Sequence, residues 1–215
     1  MDVVEAVRDA AHAAVELVAS PAVEAAWTEP SALDGYRVGG LAAHLVRAIE
    51  TIRTYVEADP PVGDGRVVDA AGYFTTVLAD HDPHDSSFHE QVRARGEARV
   101  DTGPEALREA STAALAWLDE LTVHADQVLA VRDGVLISLP DYLDTRLVEL
   151  VVHTDDLARS VGVPTPALPD EVWERAVRVL AATACHRHGP RAVAVLLARP
   201  DRSRGAGSFD VDDGD

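Results

Sequence analysis

The stretch TRLVELVVHTDDLARSVG, Thr145–Gly162, decides how the rest of the chain is read. At 3.6 residues per turn, Leu143, Leu147, Leu150, Leu157 and Val161 line one face of a helix. Beside them runs a second stripe, Tyr142, Arg146, Glu149, His153, Asp156 and Ser160, spaced alternately by four and three. Val148 and Val152 lie on its other flank, so a carboxylate and an imidazole stand one turn apart between aliphatic walls. An ionised carboxylate buried alone costs several kcal/mol, about 3–5 when its partner is missing. A divalent cation removes that cost, and Glu149 and His153 at i and i+4 point the same way to grip one. An Arg146–Glu149 ion pair could equally satisfy the carboxylate without a metal.

Working outward, the periodicity predicts a helix over about Pro140–Val161, stopped by Gly162 and Pro164. Helical spacing also runs from Asp2 to about Trp27 and from about Val38 to Ala58, the second ended by DPPVGDGR. Asp69–Asp80, Ser86–Arg99 and Pro104–His124 read as further helices. QVLAVRDGVLISL alternates around an Asp-Gly turn and is predicted as a small β-hairpin. LPDEVWERAVRVLAATACHRHG gives a last helix, and RAVAVLLAR is assigned to a strand. The expected fold is therefore mainly all-α, a helix bundle with a hairpin and a short C-terminal helix and strand. Residues 1–163 would form the bundle, 164–200 the extension and 201–215 a disordered acidic tail.

Composition narrows the function. Nineteen basic against 37 acidic residues give a net charge of −18, which repels nucleic acid and anionic membranes. No apolar run approaches the ~20 residues of a membrane span, and the N-terminus lacks the basic lead of a secretory signal. With Cys185 as the single cysteine, no internal disulfide forms. These features point to a cytoplasmic protein, monomeric or homodimeric. All basic residues are Arg, and Lys and Asn are absent, the mark of a GC-rich genome or of a halophile.

The third ligand candidate is His44 in VGGLAAHLVRAIE, bordering the buried stripe of its helix, where a lone histidine also reads as a hydrogen-bonded core residue. Arg146, a turn before Glu149, is placed to anchor an anion, and Asp156 to orient His153 from behind. Asp156 reads equally as a solvated acid. His81, His84 and His89 form a rival cluster in the polar segment HDPHDSSFH, which has no wall to exclude water. His186 and His188 suit the C-terminal dipole of the last helix.

Two motifs carry a resemblance. WTEPSALDGYRVGGLAAHL has a Trp, a Pro-Ser, a Gly-aromatic-x-Val step and an aliphatic-Ala-His-Leu helix. LPDYLDTRLVELVVHTDDLARSVG has Arg-x-x-Glu, three aliphatics, and His-x-x-Asp-Leu before a Gly. Both resemble mycothiol-dependent maleylpyruvate isomerase-like proteins of the DinB-like (YfiT-like) helix-bundle superfamily, and the closing HGPRAVAVLLARPDRS is similar to tails in that group. The resemblance implies a four-helix bundle and a metal triad, zinc by expectation, at His44, Glu149 and His153. It implies mycothiol as the thiol cosubstrate, a small electrophile as its partner, and transferase or isomerase activity. GC-rich composition fits an actinobacterial source that makes this thiol. The isomerases that the chain resembles carry a C-terminal α/β domain, whereas residues 163–215 read as one helix, one strand and a tail. Two other readings stay open: a non-catalytic metal- or ligand-binding bundle with a stress or regulatory role, and a metal-dependent hydrolase whose bound water attacks.

Overall fold

The computed structural model describes residues 1–59, 65–77, 87–124, 127–131 and 134–199. Four helices close a ring: α1 (Val3–Val18), α3 (Val38–Val56), α6 (Gly103–Asp119) and α7 (Leu139–Ser160). In that ring α1 packs on α7, α7 on α3, α3 on α6 and α6 on α1. Leu41, Leu45, Ile49, Ile52, Leu118, Leu143, Leu147 and Leu150 fill its centre, each fully buried. Helix α5 (Ser87–Val100) lies along α3, while α4 (Ala70–Val77) and α8 (Asp170–His188) cover the far side of α7. The mainly α bundle expected from the sequence is therefore the fold.

Local chemistry sets the ends of the ring helices. Asp2 Oδ1 accepts from Val4 N and Glu5 N at 2.8 and 3.0 Å and caps α1. Ser138 Oγ accepts from Asp141 N and caps α7, with Pro140 in its first turn. At the other end Gly162 takes φ +68, and Val163 N bonds back to Ala158 O, closing the helix with a left-handed turn.

Three expectations change. The first helix does not run to Trp27: it stops at Val18, and α2 (Pro21–Ala25) starts afresh. Ser20, extended because it precedes Pro21, caps α2 through Val23 N. The segment assigned to a strand, RAVAVLLAR, is helix α9 (Pro190–Ala198). Pro190 opens it after Gly189 at φ +83, and its Ala, Leu and Arg content favours helix over a strand with no neighbour to pair with. The hairpin forms as β2 (Val128–Ala130) and β3 (Leu136–Ser138), antiparallel with Leu129 opposite Ile137. It gains an unexpected partner, β1 (Val67–Val68), parallel to β3, so the sheet order is β1-β3-β2. Two residues are too few to leave a period-2 signal in the sequence. Residues 201–215, read as a tail, lie outside the described residues.

The Gly-Gly step before His44 is a packing device. The Trp27 indole lies on Gly39, where a Cβ would come within 2.6 Å of the ring, and its Nε1 donates to Val100 O at 3.0 Å. Gly96 of α5 presses against the Gly40 carbonyl, 2.8 Å from where its own Cβ would stand. Glu97 then reaches the start of α3, accepting from Arg37 N at 2.9 Å and Arg37 Nε at 2.6 Å. A carboxylate at a helix N-terminus is favourable. Gly39→Ala is expected to destabilise the protein by about 2 kcal/mol, because overpacking (~1–3 kcal/mol) and a displaced Trp27 bond outweigh the ~1 kcal/mol propensity gain. A melting temperature lowered by roughly 4–8 °C would show it; an unchanged one would contradict the packing argument.

Candidate metal centre

The first turns of α3, locked by Trp27 and α5, fix the rotation that turns His44 toward α7. Glu149 and His153 come to meet it from the central turns of α7. His44 Nε2 stands 3.3 Å from Glu149 Oε2, and His153 Nε2 stands 3.5 Å from the same oxygen. The two imidazoles meet edge-on, 4.9 Å between centroids. One ligand atom from each of the three residues lies within 4.8 Å of the others, the one such cluster of His, Cys, Asp or Glu among the described residues.

The alternative ion pair does not form: Glu149 is held by the two histidines, and Arg146 contributes only at longer range. Burial pushes the Glu149 carboxyl up, but the histidine bonds and the Arg146 charge outweigh it and hold the group well below the usual carboxylate range. His153 shows the same balance with opposite sign. Burial opposes its charge, yet Asp156 and Glu149 on its two ring nitrogens push it up to about 9.

Of the two readings of Asp156, the contact with His153 is the one that forms, its Oδ2 3.0 Å from His153 Nδ1. That contact makes Nδ1 the N–H and turns Nε2 toward Glu149. His44 has no counterpart, since its Nδ1 is buried without a hydrogen-bond partner among the described residues. Packing holds that ring instead, with Tyr36 at 5.8 Å. Asp156→Asn is expected to weaken divalent-metal affinity about 10–100-fold. Competition with a chromophoric chelator measures this, and an unchanged affinity would reduce Asp156 to a surface acid.

One wall of the stripe is missing. Val148 is buried, but Val152 is 39% exposed, so the polar stripe opens to solvent on the Val152 side. The His44, Glu149 and His153 side chains accordingly keep 16, 22 and 18% exposure. The three candidate ligands thus share one accessible side.

Arg146 lies a turn away, its guanidinium carbon 5.0 Å from the Tyr142 ring centre and 5.8 Å from that of Tyr73. Nothing in the sequence tied Tyr73, on short α4, to this place. His81 and His84 lie outside the described residues, as does the side chain of His89. His12 pairs with Asp119 at 3.0 Å on the surface, and His186 and His188 are exposed at the end of α8. No described helix is long and apolar enough to cross a membrane.

No curated protein and no solved structure matches the chain. The family model described as the mycothiol maleylpyruvate isomerase N-terminal domain matches residues 7–158, from α1 through α7, and so takes in His44, Glu149 and His153. With the helix-bundle fold beside that match, the chain belongs to the mycothiol maleylpyruvate isomerase N-terminal domain family.

Proposed function

We propose that His44, Glu149 and His153 hold a divalent metal ion, zinc in the first instance, at which a small thiol and a small electrophile react in an isomerisation or a thiol transfer. The observation that carries this reading is the meeting of three ligand atoms on an open side. Atoms ~2.0–2.2 Å from a tetrahedral ion stand roughly 3.3–3.6 Å apart. The two contacts at 3.3 and 3.5 Å match that edge length and are long for hydrogen bonds. Two edges of the ligand triangle therefore suit a tetrahedral ion, and the two histidine nitrogens lie within 4.8 Å of each other.

Such an ion supplies Lewis acidity and favours the thiolate form of a sulfur ligand. The chain's residues do the rest. Glu149 brings the negative charge that offsets the cation in a half-buried place. Asp156 fixes the His153 tautomer, and α5 and Trp27 fix the rotation of His44. The Val152 side admits the reactants. Addition of the thiol sulfur to an activated double bond, rotation and elimination would isomerise an alkene. Displacement of a leaving group by the same sulfur would give thiol transfer. Family membership supports mycothiol as that thiol.

The test is turnover of a panel of electrophiles by metal-loaded and metal-stripped protein, with and without thiol. Turnover that requires both metal and thiol is expected. Turnover with metal alone points to hydrolysis. Metal uptake with no reaction on any electrophile, and no thiol-binding heat, leaves a binding protein.

A further inference from the structure

Helix α7 carries a cation that the three ligands do not use. Arg146 is half-buried on ring faces, and Tyr55 stands edge-on against Tyr142 at 5.4 Å to complete the seat. Its Nε donates to Thr145 Oγ1 at 3.2 Å. A guanidinium has five N–H donors, so its terminal edge is left over. Among the described residues no carboxylate pairs with it within 4.0 Å, the Glu149 oxygen being taken by His44 and His153. Ring faces compensate only part of a cation, and Glu149 acts on it from a distance. A divalent ion on Glu149 would share even that carboxylate.

We propose that Arg146, seated on Tyr73 and Tyr142, is an anion subsite beside the metal ligands, and that it takes the carboxylate of a short acid whose other end reaches the His44–Glu149–His153 centre. This rests on the metal reading above. The free terminal edge is planar and two-pronged, the match for a carboxylate. Glu149 follows Arg146 by three positions, roughly 4.5 Å along the helix axis. A ligand spanning both places therefore has a spacer of only a few bonded atoms. Its carboxylate belongs either to the thiol or to the electrophile.

Two pairs of probes separate those sources by calorimetry on the metal-loaded protein. One pair is 3-mercaptopropionate and its amide; the other is crotonate and crotonamide, which lack sulfur. In at least one pair the acid is expected to bind roughly tenfold or more tighter than the amide. Arg146→Met, which keeps an apolar stem against the tyrosines, should erase that ratio while leaving metal content and amide affinity in place. Arg146→Lys should keep part of it. Equal affinities in both pairs, or a ratio that survives Arg146→Met, overturn the subsite and leave Arg146 as packing. Absence of heat from both thiols, with crotonate still preferred, overturns the thiol chemistry and keeps the subsite. A protein that takes up no metal overturns the metal reading and the two-ended ligand with it.

Discussion

Glu149→Gln is expected to abolish divalent-metal uptake and, with it, the thermal stabilisation expected of the wild type on metal loading. Glu149 Oε2 is the atom both imidazoles face, so the substitution deletes the shared vertex of the ligand set. An amide is a far weaker ligand than a carboxylate and brings no charge to offset a dication. A ligand bound only by the native state stabilises it by mass action, about 4 kcal/mol at a thousandfold excess over Kd. For a chain of this size that is a melting-temperature rise of roughly 8–16 °C. The wild type should show such a rise on loading and Glu149→Gln none. The metal-free variant should also melt below the metal-free wild type, because Arg146 and His153 lose the charge that faces them. Full metal content in the variant by elemental analysis would remove Glu149 from the site.

Metal affinity is expected to rise about tenfold per pH unit from about pH 6 to about pH 9, then level off. The metal-free site holds a proton on His153, whose value is pushed up to about 9, and a metal must displace it from Nε2. Stability of the metal-free protein should move the other way. His153 has a folded value above its ordinary one near 6.5. Its contribution is thus fully present below about 6.5 and is lost as pH rises through about 9. Glu149, held below the usual range, contributes above its ordinary value of 4.5 and loses that contribution as pH falls through its lowered one. The metal-free protein should therefore be steadiest in mildly acidic solution. The gap in melting temperature between loaded and metal-free protein should widen from pH 6 to pH 9. A gap independent of pH would mean that His153 is not the proton the metal displaces.

Much of the candidate site's geometry was legible before any fold was known, and the reasons are local. Glu149 and His153 share a direction because they lie four apart on one helix. Their neighbours Val148 and Leu150 are buried, as the stripe required. Asp156 follows His153 by three and meets its ring for the same reason. The misreadings are local too. Ser20-Pro21 breaks a helix whose apolar spacing runs on past it, and a nine-residue apolar run can serve as strand or helix.

What the sequence by itself determined is a set of helices, their capped ends and the face each turns inward. Those depend on hydrogen bonds and side-chain spacing within a turn or two of the same helix. Only the tertiary structure decided which faces meet. It brought His44 to Glu149 across 105 residues and set Tyr73 of α4 against Arg146. It left Val152 in solvent, so that the predicted wall became an opening. No local period encodes those pairings. They follow from how closely α3 can approach its neighbours at Gly39, Gly40 and Gly96, where the absence of a side chain lets Trp27 and α5 set the rotation of the helix that carries His44.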